Sequence, residues 1–154
     1  MTQLMLADPR PTIDRERIGR MTAHSARLLS SADVQLRAAR RGGEVYEKFT
    51  YTHFAALRLV GSVLAVTEVG KRVPRGQSPW TRLVRYAPEL GQWSAVLAAA
   101  TRLRASMDAG NFAVVDDVQA QRWLGLVEDF RADVFVWFGL DPLVDFDAQA
   151  KFVA

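Results

Sequence analysis

The segment from Glu44 to Val69 constrains the fold of this chain more than any other part of the sequence. Its apolar residues recur at helical spacing among alanines and do not alternate with polar residues as in a strand; they include Phe49, Leu57 and Leu64. A helix this apolar must be covered by other elements on most of its surface. We therefore predict that it is the central helix of an α-helical bundle.

Length and composition limit the architecture and the chemistry. A chain of 154 residues is long enough for one domain with a substantial core. Because it has no cysteine and two histidines, it lacks disulfides, thiolate catalysis and cysteine-based or histidine-rich metal sites. We expect one bundle with no metal and no cofactor.

The sequence also bears on location. Residues 1–10 lack the apolar core of a secretory signal, and the apolar runs at 59–67 and 132–140 are shorter than the roughly 20 residues that cross a bilayer. Together with the absence of cysteine, these features predict a cytoplasmic protein with no membrane segment.

Helical periodicity and breakers divide the rest of the chain. We predict helices at 14–41, 44–69, 80–86, 88–110 and from Asp116 or Asp117 to about 138, with a proline-rich basic loop at 70–79. The fold class is therefore all-α, with four main helices in an up-down bundle, a short extra helix and a long basic loop. The predicted divisions are a flexible leader at 1–13, the bundle at 14–140 and a C-terminal tail at 141–154.

Charge is distributed unevenly along the chain. Residues 1–86 contain 15 Lys and Arg against 7 Asp and Glu, whereas residues 87–154 contain 5 against 10. The basic half could bind nucleic acid, it could meet the acidic half of a second copy, or its arginines could simply solvate the helices. For nucleic acid, the candidates are the cations at the end of the first helix and in the loop: Arg37, Arg40, Arg41, Lys71, Arg72 and Arg75.

Several landmark residues carry a family resemblance over roughly residues 25–138. Tyr46, His53 and the run Ala55 to Arg58 are followed by a proline-containing loop, and then by Trp80, the run Ala87 to Leu90, and Trp93. This pattern resembles a small actinobacterial family within the HEPN (higher eukaryotes and prokaryotes nucleotide-binding) superfamily. The resemblance implies an all-α bundle that commonly dimerises, in a superfamily with many metal-independent ribonucleases and RNA-binding modules.

The ribonucleases of that superfamily carry an arginine followed, after four to six residues, by a histidine. A histidine can move the proton of a ribose hydroxyl, and an arginine can hold the phosphate as charge develops. This chain departs from the pattern at His53, because the nearest arginine, Arg58, follows it and lies some 140° away around a helix. Arg17 and His24 match the spacing formally, but they precede the region of resemblance.

Two functional hypotheses follow. The chain is a non-catalytic HEPN-like module that dimerises and binds a protein or RNA partner, or it is a toxin-type ribonuclease that uses a displaced Arg-His pair. We favour the first hypothesis, with His53 in a structural role. The apolar end of the last helix, residues 135–138, is the predicted dimer surface, because a lone bundle has difficulty covering it. Trp80, beside the basic loop, is a candidate for stacking on bases.

Overall fold

A computed structural model describes residues 21–146 of the chain. Within that range the protein contains helices, turns and irregular segments and has no strand, which confirms the predicted all-α class. The α-helices are α1 (Ala23–Arg40), α2 (Val45–Thr67), α3 (Pro79–Tyr86), α4 (Ser94–Asp108) and α5 (Asp117–Trp137). The predicted leader at 1–13 and the predicted helical residues 14–20 lie outside the described range.

Polar side chains fix where three of these helices begin. The hydroxyls of Thr22 and Ser78 accept hydrogen bonds from backbone N–H groups in the first turns of α1 and α3. Asp116 and Gln119 form a reciprocal capping box at the start of α5, as the predicted start at Asp116 requires. Each cap satisfies a backbone donor that would otherwise lack a partner.

Helix α2 is the centre of the molecule. It packs most extensively against α1, and it also contacts α3, α4 and α5. The side chains of Ala55, Leu59 and Val63 are completely buried on its inner surface. By length and composition α2 could cross a membrane, but 61% of its most apolar stretch is buried inside the protein, as in the core helix of a soluble protein.

The predicted single helix from residue 88 to 110 is divided into two. Pro88–Trp93 forms a 3₁₀ helix, and the α-helical geometry of α4 begins at Ser94. In a 3₁₀ helix the side chains at i and i+3 lie directly above one another. The tighter turn therefore directs both Leu90 and Trp93 towards the core, where the Trp93 ring packs on Phe130.

The apolar end of α5 is covered within a single chain. Phe135, Trp137 and Phe138 are each less than 5% exposed, and only Val136 of the four residues 135–138 reaches solvent appreciably, at 38%. The bundle therefore covers the side chains that we expected to require a partner subunit. We predicted a dimer surface at residues 135–138 because a single chain was expected to leave them exposed. That expectation is wrong.

A buried ion pair attaches residues 142–146, part of the predicted tail, to the bundle. The Arg131 guanidinium donates to both carboxylate oxygens of Asp33, at 2.5 and 3.0 Å, and to the carbonyls of Pro142 and Val144. Asp33 also accepts the backbone N–H of Phe146. This set of bonds satisfies two buried charges and connects α1, α5 and the following segment.

We predict that Asp33→Ala destabilises the protein by about 3 kcal/mol, because it leaves the Arg131 guanidinium buried without its carboxylate. Urea unfolding measures this change, and amide hydrogen exchange should show lost protection at Phe146. The more exposed pair of Arg37 and Asp145 supplies the control, since Asp145→Ala should cost less than about 1 kcal/mol. Equal effects of the two substitutions would contradict this account.

Candidate functional site

His53, which lies on α2 and is 5% exposed, is held by side chains from a neighbouring helix. Its Nε2 is 2.8 Å from the Thr101 hydroxyl, and its Nδ1 is 3.2 Å from Nη1 of Arg104; both partners lie on α4. The indole N–H of Trp80, on α3, donates to the same hydroxyl at 2.7 Å. Three helices therefore meet at Thr101.

The partners of His53 fix its tautomer. A guanidinium has donors only, so Nδ1 must accept the hydrogen bond from Arg104 with its lone pair. The proton of the neutral ring is then on Nε2, which donates to Thr101. Thr101 can accept from both His53 and Trp80 because its own proton is directed to the carbonyl of Leu97, at 3.1 Å. The polar hydrogens of His53, Thr101 and Trp80 therefore each have an acceptor.

The Arg104 side chain connects this buried group to the surface. Its guanidinium carbon lies 4.2 Å from the ring centroid of Phe54, and its Nε is 3.6 Å from the Asp108 carboxylate. Asp108 in turn accepts the hydroxyl proton of Tyr46 at 2.5 Å, and this hydrogen bond raises the pKa of Tyr46 above its usual value. We call this set, His53, Thr101, Arg104, Asp108, Tyr46 and Trp80, the His53 network.

Burial and, to a lesser extent, the positive charge of Arg104 together lower the pKa of His53 from its usual value to about 4, against a weaker opposing effect of Asp108. The ring is therefore neutral at pH 7. A general base needs a lone pair that can reach the substrate proton, and that of Nδ1 is directed at Arg104. These features are typical of a histidine with a structural role and not of one that transfers protons during catalysis.

The predicted Arg-His pairs are not formed by the described side chains. Arg58 donates from Nε to the Ser31 hydroxyl on α1 at 3.3 Å, and the arginine that contacts His53 is Arg104. His24 is exposed in the first turn of α1. Arg17, its proposed partner, lies outside the described residues.

Sequence reasoning missed Arg104 and Thr101. They lie 51 and 48 residues from His53, so no local spacing joins them to it. The available signal was that both lie on the same side of α4 as Leu97, a buried residue, because positions 97, 101 and 104 are four and three residues apart. Trp80 is 3% exposed, so its ring is not available to stack on bases.

The candidate nucleic-acid residues fall into two groups in different environments. Arg37 forms an ion pair with Asp145 at 2.6 Å, and Arg40 contacts Glu128 at 3.3 Å. Arg41 is exposed at the end of α1, and Lys71, Arg72 and Arg75 are exposed between α2 and α3. The 23 residues of α2, about 35 Å of helix, separate Arg41 from the loop, so the structure brings no compact patch together.

Carboxylates and histidines do not gather into a metal site anywhere in residues 21–146. Asp129 and Asp133 lie four residues apart on α5 and so share one face of that helix. Of these, Asp133 accepts the indole N–H of Trp93 at 2.8 Å, which gives that carboxylate a structural role.

The central part of the chain matches a known protein family. The model of the SAV_6107-like HEPN family matches residues 39–135, which is more than half of the chain and includes α2 to α4 and nearly all of α5. No curated protein and no solved structure gives a significant match to the chain.

We predict that His53 makes the protein less stable in acid. The unfolded imidazole takes up a proton near pH 6.5 and the folded one near pH 4, so the free energy of unfolding should fall by up to about 3 kcal/mol as the pH drops through that window. Above pH 6.5 both states are neutral and this dependence disappears. Urea unfolding at pH 7 and pH 4.5 measures the loss.

The variant His53→Gln should remove this part of the pH dependence, because an amide does not titrate. His24→Gln is the matched control: it removes the exposed histidine and should keep the wild-type slope. If the two variants lose stability in acid to the same extent, His53 is not the group responsible.

Proposed function

Because the chain belongs to the SAV_6107-like HEPN family, we propose that it is a non-catalytic helical module that acts in the cytoplasm, forms a homodimer and binds a partner. The proposal that the module is non-catalytic rests on the environment of the His53 side chain. Both of its ring nitrogens are engaged, its side chain is buried, and its pKa is lowered to about 4.

The alternative, a metal-independent ribonuclease of toxin type, needs a histidine that exchanges a proton with a ribose hydroxyl and an arginine that faces the phosphate. Arg104 and His53 are adjacent, but they are hydrogen-bonded to each other. Arg104 also lies between the Phe54 ring and the Asp108 carboxylate, which compensates its charge. This arrangement favours a structural use of both residues over phosphate chemistry.

The distribution of cations favours a protein partner over RNA. Two of the six candidate arginines and lysines form ion pairs with acidic residues of the same chain, namely Arg37 with Asp145 and Arg40 with Glu128. The loop cations and Arg41 are exposed but lie beyond opposite ends of α2. An RNA that used both groups would have to extend along the molecule, and its binding would be weak and sensitive to salt.

The proposed homodimer requires exposed apolar surface. Apart from Val69 and Leu143, the most exposed large apolar side chains of the described residues lie around the start of α5. Phe112 is 57% exposed and packs its ring edge-to-face with Tyr46, and Val118 is 67% exposed in the first turn of α5. Val114, between them in sequence, is 37% exposed. Burying such side chains is a general source of association free energy.

We expect the purified protein to leave a fluorescently labelled single-stranded RNA intact in the presence of EDTA. The physical reason is that the His53 ring is neutral and both of its nitrogens are hydrogen-bonded at neutral pH. Gel analysis after prolonged incubation, with the His53→Gln and His24→Gln variants alongside, measures any cleavage.

Cleavage by the wild type that His53→Gln abolishes and His24→Gln preserves would overturn the non-catalytic assignment. Fluorescence anisotropy with the same intact RNA tests the nucleic-acid alternative. Binding at low salt that disappears when Lys71, Arg72 and Arg75 are all replaced by serine would identify RNA as a partner.

The homodimer predicts a molar mass twice the 17.2 kDa of one chain at micromolar concentrations, measured by light scattering. A charge in the exposed apolar surface should shift the protein to monomer, so Val118→Asp is the informative variant. Val84→Asp introduces the same charge at another exposed valine, 47% exposed on α3, and should leave the mass unchanged. A wild-type monomer at high micromolar concentration would contradict the proposal.

A further inference from the structure

An open groove of about 290 Å³ lies where α1, α2 and the start of α3 come together. Its floor is one face of α2, at the helically spaced positions Leu57, Val60, Gly61, Leu64 and Ala65, and Leu28 of α1 forms one wall. Gly61 and Ala65 are small, so the floor is recessed at these positions. Leu28 packs close to Gly61, and Leu28, Leu57 and Ala65 remain partly exposed.

The charges at the groove are already paired with each other. Arg82, at the start of α3, donates from two nitrogens to the two carboxylate oxygens of Glu68 beyond the end of α2, at 2.7 and 2.5 Å. This hydrogen bond raises the pKa of Arg82, so the guanidinium remains charged and paired. An occupant of the groove therefore needs apolar side chains and no compensating charge.

We propose that the first 20 residues of this same chain cover the groove, with Leu4, Met5 and Leu6 on the apolar face of α2. These three residues and Ala7 form the longest apolar run before α1. The residues between that run and α1 include prolines and charged side chains and suit a connector better than a packed element.

The position where the described chain begins supports this occupant. Met21 packs against the main core, and His24, in the first turn of α1, lines the groove itself. Because α1 and α2 are joined by only residues 41–44, they run antiparallel, which puts the beginning of α1 beside the Leu64 and Glu68 end of the groove. The preceding residues are thus attached at the mouth of the groove.

The connecting residues are long enough. Extended chain spans at most about 3.5 Å per residue, so the stretch from Leu6 to Met21 can reach about 50 Å, whereas the floor from Leu57 to Glu68 is about 17 Å of helix. A segment tethered this way has an effective concentration in the millimolar range, which favours it over a free peptide of the same composition. The N-terminal segment would therefore hold the groove against a weak external ligand.

A spin label tests this proposal in the full-length protein. The chain has no cysteine, so Met5→Cys provides a unique attachment point for a nitroxide. We expect the label to reduce the methyl signals of Leu57 and Leu64 to less than half of their intensity in the reduced, diamagnetic sample. The methyl signals of Val114 and Val118, at the far end of the bundle, should keep theirs.

Three variants and one mixture make the test decisive. Ala65→Arg places a charge in the groove and should restore the Leu57 and Leu64 signals, whereas the control Val84→Arg, at an exposed valine outside the groove, should not. If Ala65→Arg fails to fold, Leu4→Asp combined with Leu6→Asp leaves residues 21–146 unchanged and should restore the signals equally.

Undiminished Leu57 and Leu64 signals in the labelled protein, or equal loss at Val118, would overturn the proposal. So would loss of groove signals in isotope-labelled protein without the nitroxide, mixed with spin-labelled protein of natural isotope abundance. That result would mean that a second copy, and not the same chain, supplies the segment.

Discussion

The hydroxyl of Thr101 is the point on which the packing of three helices depends. It accepts hydrogen bonds from His53 on α2 and Trp80 on α3 and donates its own proton within α4. A buried polar group without a partner costs about 1–3 kcal/mol, so these side chains can lie beside the apolar core only in this relative arrangement. The same bonds that position the helices also engage both ring nitrogens of His53.

Two ion pairs of the described residues join the basic first half of the chain to its acidic second half. The basic first half and the acidic second half meet within one molecule, through Arg37 and Asp145 and through Arg40 and Glu128. The deepest pair, Asp33 and Arg131, has the opposite sense and holds the segment after α5. A net charge distribution read from the sequence therefore overstates the basic surface that is free of acidic partners.

The elements of the fold could be predicted because they depend on local patterns. The apolar spacing of Phe49, Leu57 and Leu64 identified α2, and a capping residue at Asp116 or Asp117 indicated the start of α5. The site could not be predicted in the same way, since the arginine beside His53 is Arg104 and not Arg58, and only tertiary packing joins positions 51 residues apart. The coverage of Trp137 and Phe138 is likewise a property of the assembled bundle and is invisible in the composition of α5.

The most direct test of a locked, neutral His53 is nitrogen-15 NMR of the imidazole rings between pH 5 and pH 8. The account predicts that the His53 nitrogens keep the chemical shifts of a neutral ring throughout this range, with a protonated Nε2 and an unprotonated Nδ1. Recording the same spectra on His53→Gln assigns the signals. Titration of His53 with a midpoint near 6.5, or a proton on Nδ1 at neutral pH, would contradict it.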